Sequence, residues 1–112
     1  MERSDAQPAA HPAISAISPE EAYRALGKHP AWIVERDRVH RDFRLRSFAD
    51  AIDLITRVAA VAEAVNHHPN IRLHEWCFVE LEVYSHVSGG LTARDVDLAL
   101  AIDAMLDAAQ PA

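Results

Sequence analysis

The hydrophobic pattern of this chain changes period several times, and each change marks an element. Residues 1–17 are rich in Ala, Pro, Ser and His and show no period. Ser18-Pro19-Glu20-Glu21 then has the composition of a helix start: Ser18 is placed to cap, Pro19 suits the first helical position and Glu21 completes a capping box. This helix is expected to run to about Lys28, with His29-Pro30 ending it. Trp32 and Val34, then Val39, Phe43 and Leu45, alternate with polar residues and predict two strands joined near Glu35-Arg36-Asp37-Arg38. From Ser47 to about Asn66 the period lengthens. Phe48, Ala51, Ile52, Ile55, Ala59 and Ala62 fall at helical spacing and predict one apolar stripe, which Pro69 prevents from continuing. From Leu73 to His86 the chain is strand-like, with Val79, Leu81 and Val83 alternating with Glu80, Glu82 and Tyr84; the stretch suits a strand pair or one strand with an irregular lead-in. Gly89-Gly90 predicts a turn. Thr92-x-x-Asp95 forms a second capping box, with Leu91 and Val96 as a hydrophobic staple, ahead of a last helix whose apolar face is Leu98, Ala99, Ile102, Met105 and Leu106.

The predicted order is helix, two strands, helix, two strands, helix. Such elements bury their apolar faces as an α+β, two-layer fold: a four-stranded antiparallel sheet with the helices on one face. The length fits one domain, expected over 18–109, behind a disordered N-terminal tail at 1–17. Half the residues are hydrophobic, enough for one modest core, and 11 basic against 17 acidic residues leave a formal charge of −6. That balance argues against broad electrostatic binding to nucleic acid or an anionic membrane, while leaving room for a small ligand in a local pocket. Cys77 is the only cysteine, so no internal disulfide and no cysteine zinc cluster can form; it is expected to be a small buried hydrophobe. No apolar run is long enough for a bilayer and no signal-peptide core is present, so a cytoplasmic location is expected.

Candidate chemistry concentrates in His67-His68-Pro69, one helical turn after Glu63, and in Ser85-His86. Imidazole titrates near neutrality in water, so a histidine cluster suggests acid–base chemistry or a metal. Glu63 and His67 are four apart on one helical face, where the carboxylate can fix the imidazole tautomer; the plainer alternative is a surface ion pair at a helix end. Asp95 is likewise either a capping residue or a carboxylate facing a site. Under regular alternation His86 shares a face with Glu80, Glu82 and Tyr84, which would open the site on the sheet face away from the helices or at its edge; a bulge would reverse that parity. Adjacent histidines seldom aim both rings at one ion and no HExxH-type pair is present, so no metal is expected.

Glu63-x-x-x-His67-His68-Pro69 followed by Ser85-His86-x-x-x-Gly90-Leu91-Thr92-x-x-Asp95 resembles the pterin-4a-carbinolamine dehydratase family. Trp32, Val39-x-Arg41-x-Phe43, Phe48-x-x-Ala51 and Ala99-x-x-Ile102-Asp103 extend the likeness over roughly residues 18–106. Asn70, Ile71 and Ser85 depart from common family residues, and the segment from Pro69 to His86 is one residue longer than in animal members. The resemblance implies a pterin pocket lined by three catalytic histidines, His67, His68 and His86. Glu63 and Asp95 would support them, with Trp32, Pro69 and Ser85 toward the substrate. Arg41 is expected as a solvated strand residue, and Trp32 suits core packing as well as pterin stacking.

The implied reaction is loss of water from 4a-hydroxytetrahydrobiopterin to give a quinonoid dihydropterin, in recycling of the tetrahydropterin cofactor of an aromatic amino-acid hydroxylase. No metal, redox cofactor or nucleophile is needed. His68 or His86 would protonate the leaving hydroxyl, and His67, oriented by Glu63, would act as base or stabilise developing positive charge. The alternative is a non-catalytic partner role on the same fold, in transcription-factor dimerisation or assembly of a carbon-fixing enzyme. Self-association as a homodimer or homotetramer is expected, because so small a domain commonly covers its sheet edges and helix faces that way.

Overall fold

The computed structural model describes residues 16–85 and 90–109, with side chains to residue 108. Its elements follow the expected order: α1 (Pro19–Ala25), β1 (Ile33–Val34), β2 (Val39–Arg44), α2 (Phe48–Val65), β3 (Asn70–His74), β4 (Phe78–Val83) and α3 (Ala93–Ala109). The four strands form one antiparallel sheet in the order β1-β2-β4-β3. The two hairpins thus lie side by side and join where β4 pairs with β2, from Val39 opposite Val83 to Arg44 opposite Phe78. The α+β, two-layer architecture is the one the pattern predicts.

Local signals account for most boundaries. Ser18 and Glu21 make the reciprocal capping box: the Glu21 N–H donates to Ser18 Oγ at 3.0 Å, and the Ser18 N–H to Glu21 Oε1 at 2.8 Å. The first helix ends at Ala25, short of the expected Lys28, and residues 26–28 form a turn. Ser47 caps α2 by accepting the Asp50 N–H at 3.0 Å. At the far end Asn66 takes a left-handed conformation (φ 55°), and the His67 N–H reaches back to the Ala62 carbonyl at 3.1 Å. That six-to-one bond is a Schellman termination, with Asn in place of the usual Gly.

The core lies between the sheet and the helices, built from Val39, Val79, Leu81 and Val83 below and Leu54, Val58, Leu98, Ala99 and Ile102 above. Cys77 is buried beside it. Two expectations need correction. The buried face of α2 is Ala51, Leu54, Val58 and Ala62, whereas Phe48 and Ile52, expected in the core stripe, are 55% and 42% exposed, and Ala59 is exposed too. The helix carries two apolar rows that share Ala51 and Ala62, and the one completed by Leu54 and Val58 faces the core. Nor does irregular chain extend through residue 17: Ala16 bridges Thr92, and the Ile17 N–H donates to the Leu91 carbonyl at 2.8 Å, because Ile17 packs on the core. Residues 1–15 of the expected tail, and the first half of the Gly89-Gly90 turn, lie outside the described residues.

Candidate active site

The end of α2, the start of α3 and the end of β4 meet at one corner of the fold, and the candidate residues gather there. The Schellman turn swings His67 off the helical face that carries Glu63 and aims it at α3. His67 Nε2–H donates to Asp95 Oδ1 at 2.6 Å. The His67 side chain is 14% exposed and Asp95 is fully buried. A carboxylate at this distance only accepts, so the ring carries its proton on Nε2 and presents Nδ1, which has no partner among the described residues.

Asp95 serves both readings open from sequence. Its Oδ2 accepts the Thr92 N–H at 2.8 Å, closing the cap of α3, while Thr92 Oγ1 accepts the Arg94 N–H at 3.2 Å. Its Oδ1 faces His67. Ser85 Oγ–H, buried on the core parity of β4, lies 3.1 Å from both carboxylate oxygens and 2.9 Å from Thr92 Oγ1. Asp95 lies in the first turn of α3, and His67 just past the C-terminus of α2.

Glu63 therefore does not orient His67, as the four-residue spacing suggested; it pairs with His68, whose Nε2 lies 2.6 Å from Glu63 Oε2. This second pair is open to solvent, with side chains 56% and 76% exposed. Pro69 follows, half-buried, and leads into β3. Ser85 turns inward beside Asp95, so the described part of the site sits at the end of the helix layer. His86 lies outside the described residues. Trp32 is placed elsewhere: it is 4% exposed and its Nε1–H donates to Asp103 Oδ1 at 2.8 Å, two turns further along α3. Arg41 is not a solvated strand residue; it points to the helix side and donates to the same Asp103 oxygen at 2.7 Å.

Two residues of the corner were not anticipated as site residues. Thr92 supplies both a backbone donor and a hydroxyl to the Asp95 network, and Arg94 donates through Nη2 to the Asn66 carbonyl, tying the start of α3 to the end of α2. Their capping-box position was visible; the contact of Arg94 with a residue 28 positions away was not. Among the described residues no group of three or more His, Cys, Asp or Glu side chains is arranged to hold a metal ion, and no helix is long and apolar enough to cross a membrane.

A two-layer α+β domain with a histidine–carboxylate corner defines a recognisable class. The chain belongs to the pterin 4 alpha carbinolamine dehydratase family, whose model matches residues 15–105. A provisionally named pterin-4-alpha-carbinolamine dehydratase of Chloroflexus aurantiacus is 40% identical over 90 residues, covering 80% of this chain and 96% of that protein. Pterin-4-alpha-carbinolamine dehydratase 2, mitochondrial, of Arabidopsis thaliana is 35% identical over 94 residues; the match covers 80% of this chain but only 50% of the Arabidopsis protein. Among solved structures, a transcriptional coactivator/pterin dehydratase from Brucella melitensis superposes with a TM-score of 0.70 at 24% identity, covering 81% of this chain and 98% of that one. A pterin dehydratase-like protein described as a RuBisCO assembly factor in the alpha-carboxysome gives 0.55 at 21% identity, covering 69% and 90%. Both structural likenesses speak to fold alone.

Proposed function

We propose that this protein dehydrates 4a-hydroxytetrahydrobiopterin to the quinonoid dihydropterin by histidine acid–base catalysis, in recycling of a tetrahydropterin cofactor. The observation that supports it most is the buried Asp95 holding the His67 ring, whose Nδ1 has no partner among the described residues. Family membership adds support. In the proposed step the C4a–O bond breaks as an imidazolium, His68 or His86, gives its proton to the leaving hydroxyl, which departs as water. The N5–H proton passes to His67 Nδ1, and its bonding pair becomes the C4a=N5 bond. One proton enters and one leaves, so the histidine set returns to its starting charge after exchange with water. Asp95 stabilises the imidazolium that forms on His67, and a positioned group of this kind contributes roughly 10²–10⁴-fold. The test is stopped-flow absorbance of freshly generated 4a-hydroxytetrahydropterin with the native protein, His67→Ala and His68→Ala. Faster decay with the native protein, lost in His67→Ala, is the expected result; no acceleration by the folded native protein would refute the reading.

A second reading, partner binding, is favoured by one observation. Phe48, Ile52 and Ala59 form an exposed apolar row on α2 that the sheet leaves uncovered. Self-association as a homodimer or homotetramer through this row is the simplest form of that reading. Light scattering of native protein and Phe48→Glu over a dilution series tests it; equal, monomeric masses for both would remove it.

A further inference from the structure

The opposite end of α3 borders a cavity of about 480 Å³ that the proposed dehydration does not use. Asp95 and Asp103 are eight residues apart on one helix, about 12 Å along its axis. Asp103 is 7% exposed and committed to the protein: Oδ1 accepts from Trp32 Nε1 at 2.8 Å and Arg41 Nη1 at 2.7 Å, and Oδ2 from His29 Nδ1 at 2.6 Å. These bonds fix Arg41 over the Phe43 ring, its guanidinium carbon 4.5 Å from the ring centre. Arg41 Nε and Nη2 are left without acceptors among the described residues. The guanidinium is thus pre-organised, with donors to spare, at the wall of a cavity.

Three further properties define what would fit. Lys28 and Asp107 also line the cavity, both exposed and neither with an ion-pair partner among the described residues. Leu45, Leu54 and Leu106 give it an apolar side next to Phe43. The volume falls in the range of small-molecule sites. A simple carboxylate would find Arg41 and Lys28 but meet the Asp107 charge; a simple amine would meet the reverse. An amphoteric ligand with an apolar body satisfies every group.

We propose that this cavity binds an α-amino acid with an apolar side chain. Its carboxylate rests on Arg41 and Lys28, its ammonium on Asp107, and its side chain against Phe43 and the leucines. The site is independent of the dehydratase reading.

The experiment is a ¹H–¹⁵N NMR titration of the full chain with L-leucine and L-phenylalanine, beside 4-methylpentanoate and 3-methylbutylamine, which lack the ammonium and the carboxylate of leucine. Saturable shifts at the Lys28, Ala31 and Arg41 amides below about 10 mM amino acid are expected, a weak-site range. Each truncated analogue should bind at least about fivefold more weakly. Asp107→Asn should weaken amino-acid binding without weakening 4-methylpentanoate, and Lys28→Ala should weaken both; both positions are exposed, so neither change threatens the fold. Absence of saturable shifts with either amino acid, or equal binding of 4-methylpentanoate and L-leucine, overturns the proposal.

Discussion

Helix α3 buries two aspartates, and each holds a histidine nitrogen at 2.6 Å, yet the two clusters are built for different ends. Around Asp103 stands Arg41, a permanent cation that cannot take part in proton exchange, together with the Trp32 indole. Around Asp95 stand Ser85, Thr92 and His67, with no arginine or lysine on the carboxylate among the described residues. The charge of Asp103 is thus matched at all times, whereas that of Asp95 is matched most fully when His67 is protonated. The same helix supplies an arginine-bound anchor at one end and, at the other, the carboxylate that the proposed mechanism sets against the His67 imidazolium.

The largest expected effect breaks the Asp95 end. Asparagine offers one acceptor where the carboxylate offers two, and the site presents donors to both oxygens. In Asp95→Asn the amide would keep the Thr92 N–H satisfied and turn its NH₂ toward His67, moving the ring proton to Nδ1 and removing the free base. Turnover should fall by about 10²–10⁴-fold. Imidazole ¹⁵N shifts check the cause, since a drop in rate with the Nε2–H tautomer unchanged would point away from this mechanism.

Next in size is the Asp103 end. Asp103→Ala leaves Arg41 facing the core side without its anion, together with an unpaired indole N–H. Breaking such a pair costs about 3 kcal/mol. Urea denaturation should show that loss, while turnover per folded molecule stays near native. A variant that kept its stability but lost activity would erase the contrast between the two ends.

The two ends also differed in how far the sequence revealed them. Both helix caps were legible because a capping box is a four-residue signal that needs no knowledge of the fold. The gathering of His67 with Asp95 was visible only in part: both residues were marked, but the four-residue spacing pointed to Glu63 as the partner. One left-handed residue, Asn66, redirects the chain, and no local pattern announced its effect on the ring. Arg41 and Trp32 were harder still: Arg41 shares the parity of Val39 and Phe43, but the common partner that holds it and Trp32 lies 62 and 71 positions away. The α2 stripe shows a related limit. Two apolar rows of similar strength left open which of them the sheet would cover.

A smaller effect sharpens the comparison between buried and exposed histidine pairs. His68 and Glu63 lie as close as His67 and Asp95 but in solvent, where an ion pair is worth about 0–1 kcal/mol. Glu63→Gln should therefore change the urea midpoint little and lower turnover far less than Asp95→Asn. Equal losses in the two variants, measured in the same stopped-flow assay, would show that burial is not what separates the pairs.

The smallest effect concerns Glu82 on the open face of the sheet, a half-exposed counterpart to both buried aspartates. The Asn70 side-chain amide, 3.1 Å from Oε1, and after it the Arg38 guanidinium on Oε2 hold the Glu82 carboxyl below the usual carboxylate range. A carboxyl depressed in the folded state binds fewer protons there than in the unfolded chain. Its contribution is present above the unfolded carboxylate pKa and is lost as pH falls through the folded one. Asn70→Ala removes the larger cause and should shrink the part of the acid loss that Glu82 supplies. Urea midpoints from about pH 7 to about pH 3 should then fall slightly less steeply in the variant than in the native protein. Parallel curves would mean that Arg38 alone holds the carboxylate, and Arg38→Gln should then flatten the acid limb instead.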